Sequence, residues 1–158
     1  LKMKVIAYDP FLSEDRARKM GVTKVDLDEL LGRADFITLH VPLTDATHHL
    51  IGATEIDRMK PGAILVNASR GGIIDESALV SALRDGPVAA AGLDVFEHEP
   101  PVDSELARLP NVVLSPHIGG LSTRAIAELT RRATESVLAV HAGRMPDDAV
   151  NADRIAAR

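Results

Sequence analysis

Cysteine is absent from the 158 residues. Disulfides and thiolate-bound zinc are therefore excluded, while the redox character of the compartment stays open. No apolar run approaches the roughly 18 residues of a membrane-crossing helix, so nothing in the sequence is expected to span a bilayer. Basic runs are missing too, and a net charge of −5 argues against nucleic acid as a main partner. There is no internal repeat and no low-complexity tract. The opening Leu1-Lys2-Met3-Lys4 carries neither an initiator methionine nor a signal peptide and leads almost directly into a strand, so it reads like a chain entered in the middle.

The remainder has an ordinary globular balance, with 46% hydrophobic and 26% charged residues in 16.9 kDa. A domain of about 150 residues buries roughly 68–70% of its unfolded surface, enough for one core.

Strand and helix patterns alternate along the chain. Val5 to Tyr8 is an apolar strand ended by Asp9-Pro10, because proline cannot continue a ladder. Ser13 can cap a helix over Glu14 to Met20, which Gly21 stops. A strand is predicted at Thr23 to Val25, a short helix at Asp26 to Leu31, and a strand at Phe36 to His40 followed by Val41-Pro42. A helix near Thr54 to Met59, a strand at Ala63 to Val66 and a helix from Glu76 to Asp85 come next. Val88 to Leu93 and Val112 to Leu114 are the last strands. A final helix, about Thr123 to Ala142, repeats Ile126, Leu129, Ala133 and Val137 at helical spacing. Alternation with short connections predicts an α/β fold, a doubly wound parallel sheet with helices on both faces.

The polar residues that suggest chemistry fall at the carboxyl ends of these strands, where ligands of open α/β sheets sit: Asp9, His40 with Pro42, Arg70, Asp94 and His117. Arg70 stands in Asn67-Ala68-Ser69-Arg70-Gly71-Gly72, where glycine permits close backbone approach and a guanidinium matches a carboxylate. By itself such a βα turn more often holds a merely solvated arginine. Asp9 can accept from ribose hydroxyls or simply form a turn before Pro10. His117 can exchange a proton near neutral pH or act as a capping residue. Glu99, if paired with His117, would fix its tautomer and favour the imidazolium. A metal site from Glu97, His98 and Glu99 is disfavoured, since adjacent loop residues seldom form a closed ligand set. His48 and His49 read as surface, and Ser69 lacks the context of a hydrolase nucleophile.

Three ordered blocks, Asn67 to Gly72, Gly92-Leu93-Asp94-Val95-Phe96-Glu97-His98-Glu99-Pro100 and Ser115-Pro116-His117-Ile118-Gly119-Gly120, resemble the D-isomer-specific 2-hydroxyacid dehydrogenases. Lys4 to Pro10 and Leu39 to Thr44 are similar to that family as well. The resemblance implies a Rossmann-like domain over residues 1–120, with 121–158 as a C-terminal helix and tail packing towards a substrate lobe. It implies that Arg70 binds the substrate carboxylate and keto oxygen, that His117 is the acid/base and that Glu99 holds it. NAD is the implied cofactor, contacted by Asp9, Pro10, His40, Val41, Pro42, Ala68, Ser69, Arg70, Asp94, His117 and Gly119. Asp9 would bind the adenosine ribose and, being acidic, would favour NAD over NADP. Asp94 would accept from the nicotinamide carboxamide. A small 2-keto or 2-hydroxy acid substrate, a homodimer and a cytoplasmic location are also implied, with no metal.

The sequence departs from the family in one large respect. No Gly-x-Gly-x-x-Gly precedes the strand that ends at Asp9, and the early glycines, Gly21 and Gly32, do not make one. That loop would present backbone N–H groups to a pyrophosphate. The expectation is a chain that lacks the family's first nucleotide-binding strand and its N-terminal lobe, is inactive alone, and has sheet edges left apolar. Corepressors resembling this family keep the same arginine, glutamate and histidine, so an NAD(H)-sensing interaction protein stays open as the alternative. Formate oxidation is disfavoured, since the family resemblance would then call for glutamine at position 99.

Overall fold

The computed structural model describes residues 3–153. Two units divide at His117/Ile118. In the first, β1 (Ile6–Ala7), α1 (Glu14–Met20), β2 (Thr23–Lys24), α2 (Leu27–Arg33), β3 (Phe36–Leu39), α3 (Ala53–Asp57), β4 (Ala63–Asn67), α4 (Glu76–Asp85), β5 (Val88–Leu93) and β6 (Val112–Leu114) follow in order. A 3₁₀ turn, Glu105–Arg108, precedes β6. The second unit contains α5 (Thr123–His141).

Side-chain caps set the helix starts. Ser13 accepts from the N–H of Arg16, Asp26 from Glu29, Asp75 from Ala78 and Ser122 from Ala125, satisfying donors that have no partner in a first turn. Asp26 is thus the cap of α2, not its first residue, and the helix runs on past Leu31 to Arg33. Gly21 closes α1 at φ 72°, a left-handed conformation that glycine adopts without strain.

Strand pairing is parallel throughout, and it forms two sheets. One is β1-β2; the other has the order β3-β4-β5-β6 and is flanked by helices. The sequence predicts a strand over Val5 to Tyr8, but among the described residues only Ile6–Ala7 is regular, paired with Thr23–Lys24 of β2.

Paired residues of neighbouring strands point to one face, which explains the burial. Ile37, Leu39, Leu65, Ala91 and Leu93 pack with Leu31, Ile56, Leu79 and Leu83 of α2, α3 and α4, and with Leu106. This layer is the core of the unit. On the opposite face Phe36, Val66 and Val113 are exposed. β3 and β4 therefore alternate buried positions with more open ones.

The β4–β5 ladder contains one irregularity. Ala63 pairs with Val88 but Ile64 pairs with Ala90, so Ala89 is an extra residue at the start of β5. Asn111 Nδ2 donates to the carbonyls of Ala89 and Leu83, both at 3.0 Å.

In the second unit the apolar positions of α5 do recur on one stripe, yet Ile126, Leu129 and Val137 are exposed and only Ala139 is buried. Arg131 bridges Glu128 and Glu135 along the helix surface, and Arg132 joins Glu128. Among the described residues no helix is long and apolar enough to cross a membrane.

Candidate active site

Three loops leave the carboxyl ends of β4, β5 and β6 side by side, and hydrogen bonds beyond the strands keep them in step. The carbonyl of Asn67 accepts from the N–H of Asp94 at 2.9 Å, and that of Leu93 from Ser115 at 2.9 Å. The Asn67 side chain is 2% exposed. Its Oδ1 accepts from the N–H of Ser69 at 3.0 Å and its Nδ2 donates to the carbonyl of Arg70 at 2.9 Å. A buried amide thus folds the Arg70 turn back on itself and satisfies its own polar atoms. Ser69 Oγ donates to the carbonyl of Val41 at 2.5 Å, tying the loop after β3 to the same place.

Gly71 makes the closest approach. A Cβ there would lie 1.8 Å from the carbonyl oxygen of Phe96, so the Arg70 loop and the Phe96–Glu99 loop touch backbone to backbone.

Glu99 and His117 form a pair. His117 Nδ1 lies 2.8 Å from Oε2 and 3.1 Å from Oε1 of Glu99. An ionised carboxylate only accepts, so Nδ1 carries the proton in this contact and Nε2 is left as the position that gains or loses one. The N–H of Phe96 also donates to Glu99 Oε1. The bond from His117, followed by that from Phe96, holds the Glu99 carboxyl below the ordinary carboxylate range. His117 itself has φ 55°, a left-handed conformation that is uncommon for a non-glycine residue and frequent at functional sites. The two side chains are 47% and 38% exposed, open to a ligand from solvent.

The other expected residues stand around this centre. Arg70 is exposed; its Nη1 donates to the carbonyl of Ser69 at 2.7 Å, and among the described residues no hydrogen bond or ion pair joins it to Glu99 or His117. Ala68 is exposed and Ser69 half-buried. Asp94 is buried and accepts from Ser115 Oγ at 2.5 Å. His40 Nε2 lies 3.0 Å from Thr38 Oγ1, Val41 is half-buried and Pro42 exposed. Asp9 and Pro10 follow β1, in the other sheet, and Asp9 Oδ1 accepts from the N–H of Phe11 at 2.7 Å in a local turn. Gly119 belongs to the second unit.

From the sequence alone Asn67 and Ser115 carry no assigned role, Glu97 enters only a disfavoured metal set and His49 reads as surface. The order Asn-x-Ser-Arg is a turn signal that points to Asn67. For Ser115, Glu97 and His49 the partners lie 21 to 48 positions away, and nothing in the local sequence marks them. His49, read as a surface residue, is held by Glu97, with Nε2 and Oε1 3.1 Å apart. Among the described residues no group of three or more metal-ligating side chains is assembled.

Residues 1–119 match the family described as D-isomer specific 2-hydroxyacid dehydrogenase, NAD binding domain. The chain belongs to that family. It is 43% identical over 157 residues to a glyoxylate reductase of Korarchaeum cryptofilum, covering 99% of this chain and 47% of the relative. It is 47% identical over 154 residues to a D-3-phosphoglycerate dehydrogenase of Methanocaldococcus jannaschii, covering 97% and 29%. Among solved structures, a D-lactate dehydrogenase from Aquifex aeolicus complexed with NAD and lactic acid superposes with TM-score 0.80 at 35% identity, covering 89% of this chain and 47% of that one. The chain thus spans less than half the length of these relatives.

The domain is an NAD-binding one, and its donor set suits part of that cofactor. Buried Asp94, oriented by Ser115, offers a fixed acceptor for an amide, and Asp9 offers a carboxylate for hydroxyls. No loop of these 158 residues has the glycine pattern that would cradle a pyrophosphate.

Proposed function

We propose that the whole protein is an NAD-dependent oxidoreductase that interconverts a D-2-hydroxy acid and its 2-keto acid. The observation that carries this reading is the His117–Glu99 pair on strand ends adjacent to the Arg70 turn. NADH, when bound, supplies the hydride for the keto carbon. Arg70 offers its guanidinium fork to the substrate carboxylate and the keto oxygen. His117 Nε2 gives its proton to that oxygen in reduction and takes it back in oxidation. Glu99 fixes the ring and its tautomer through Nδ1. Asp94 accepts from the nicotinamide carboxamide, and Asp9 takes the adenosine ribose, favouring NAD over NADP. Ala68, Ser69, the His40–Pro42 turn, Pro10 and Gly119 complete the cofactor contacts. The reading includes a homodimer and a cytoplasmic location, both carried by the family resemblance.

The test is NADH consumption by the full-length protein against glyoxylate, hydroxypyruvate and larger 2-keto acids, with product configuration determined. Turnover to a D-2-hydroxy acid is expected. NADH binding without turnover of any of them would reject the reading in favour of a nucleotide-sensing role.

A further inference from the structure

Glu97 lies outside the set of residues assigned to the reaction, yet it ties the loop that carries Glu99 to two other elements. Its backbone N–H donates to Glu76 Oε1 at 2.7 Å. Its own Oε1 accepts from the N–H of Glu76 at 3.1 Å. The exchange is reciprocal, and it ties the loop to the first residue of α4. The same Oε1 lies 3.1 Å from His49 Nε2, which adds the loop after β3. His49 is held at φ 50°, and its N–H donates to the carbonyl of Gly72 at 2.8 Å. Two loops and a helix start therefore meet at one carboxylate, and His49 links the Gly72 loop to them.

This knot has an electrostatic cost. Burial, and then the charge of Glu97, push the Glu76 carboxyl above the ordinary carboxylate range, although the N–H of Glu97 opposes the shift. His49, Asp75 and His98 are the other titratable groups facing it. Two acids kept side by side in this way hold the chain between them. That chain is the one whose Phe96 N–H binds Glu99 and whose Phe96 carbonyl rests on Gly71, next to Arg70.

We propose that Glu97 is a positioning residue that, through Glu76 and His49, sets the Glu99 carboxylate against His117. The inference rests on the dehydrogenase reading for its kinetic consequence but not for its structural one. A misplacement of about 1 Å at a reacting group can cost on the order of 100-fold in rate.

The experiment uses the full-length protein as wild type, Glu97→Ala, Glu97→Gln and Glu76→Ala. Two quantities are read: kcat against the dissociation constant of NADH, and the titration of the Glu99 carboxyl by carbon NMR. Glu97→Ala should lower kcat about 10- to 100-fold at unchanged NADH affinity and move the Glu99 midpoint up towards the ordinary carboxylate range. Glutamine keeps an acceptor oxygen for the N–H of Glu76, so Glu97→Gln should restore both values. Glu76→Ala breaks the other half of the exchange and should shift Glu99 in the same direction; it decides the matter if Glu97→Ala does not fold. A Glu99 midpoint unmoved in the folded alanine variants would overturn the proposal, as would a glutamine variant as impaired as the alanine one. Absence of keto-acid turnover by wild type would reject the dehydrogenase reading alone, and the Glu99 titration would still decide the role of Glu97.

Discussion

The carboxylate of Glu99 is shared between the Nδ1–H of His117, at 2.8 Å from Oε2, and the N–H of Phe96, at 3.1 Å from Oε1. One acid thus orients an imidazole and closes its own loop. Its depressed carboxyl fixes a pH window. The folded-state value lies below the unfolded one, so the pair's contribution is complete above the ordinary carboxylate range and is lost as pH falls through the lower, folded-state value. In the His117→Ala variant the Glu99 midpoint should rise, as read by carbon NMR. An unmoved midpoint would mean that the pair does not persist in solution.

Replacing His117 by Asn in the full-length protein removes the proposed acid while leaving a polar side chain of similar reach. We expect kcat to fall by roughly 10²–10⁴-fold with NADH affinity nearly constant. Steady-state kinetics together with NADH fluorescence titration check this, and a rate that survives would remove His117 from the chemistry.

Arg70→Lys should impair both KM for the keto acid and kcat. An ammonium is a point charge and cannot span carboxylate and keto oxygen as a planar fork does. If both constants hold, Arg70 serves only the turn it occupies.

Gly71→Ala has no room. A methyl 1.8 Å from a backbone oxygen must push the Phe96 loop away, at a cost of about 1–3 kcal/mol in stability. Because that loop carries Glu99, activity should fall further than stability explains. Denaturant melts beside kcat/KM values distinguish the two effects.

On α5, Arg131 and Arg132 draw the Glu128 carboxyl down to about 2 from its ordinary 4.5. The network therefore contributes above pH 4.5 and is lost as pH falls towards about 2. Arg131→Ala should raise the Glu128 midpoint. Its effect on melting temperature at neutral pH should be small and reduced by salt, since the pairs are exposed.

How much of this was readable from the residues alone differs by level. Helices announced by caps were: Ser13 with Gly21 bounds α1 correctly, and the alanine-rich run Val88–Leu93 is β5 as expected. The stripe on α5 was readable, but periodicity says which residues share a face and not what covers them; Ile126 and Leu129 stayed exposed. The split into two sheets depends on strand order, which no local pattern encodes. In the site, Arg70, Glu99 and His117 stood out through three motif blocks. The roles of Ser115 and Glu97 did not, since they arise only when register brings distant residues together, whereas Asn67 folds its own turn and is marked by the local order Asn-x-Ser-Arg.

The extra residue at Ala89 governs more than the local ladder. Had the pairing run evenly from Ala63 and Val88, Asn67 would face Gly92 instead of Leu93. Every side chain beyond would change sides, and Asp94 would stand about 3.3 Å further along and point to the opposite surface. The phase of the Asp94 end is therefore chosen at the opposite end of the strand, where Asn111 clasps the Ala89 carbonyl. A deletion there would displace the candidate site without touching one of its residues.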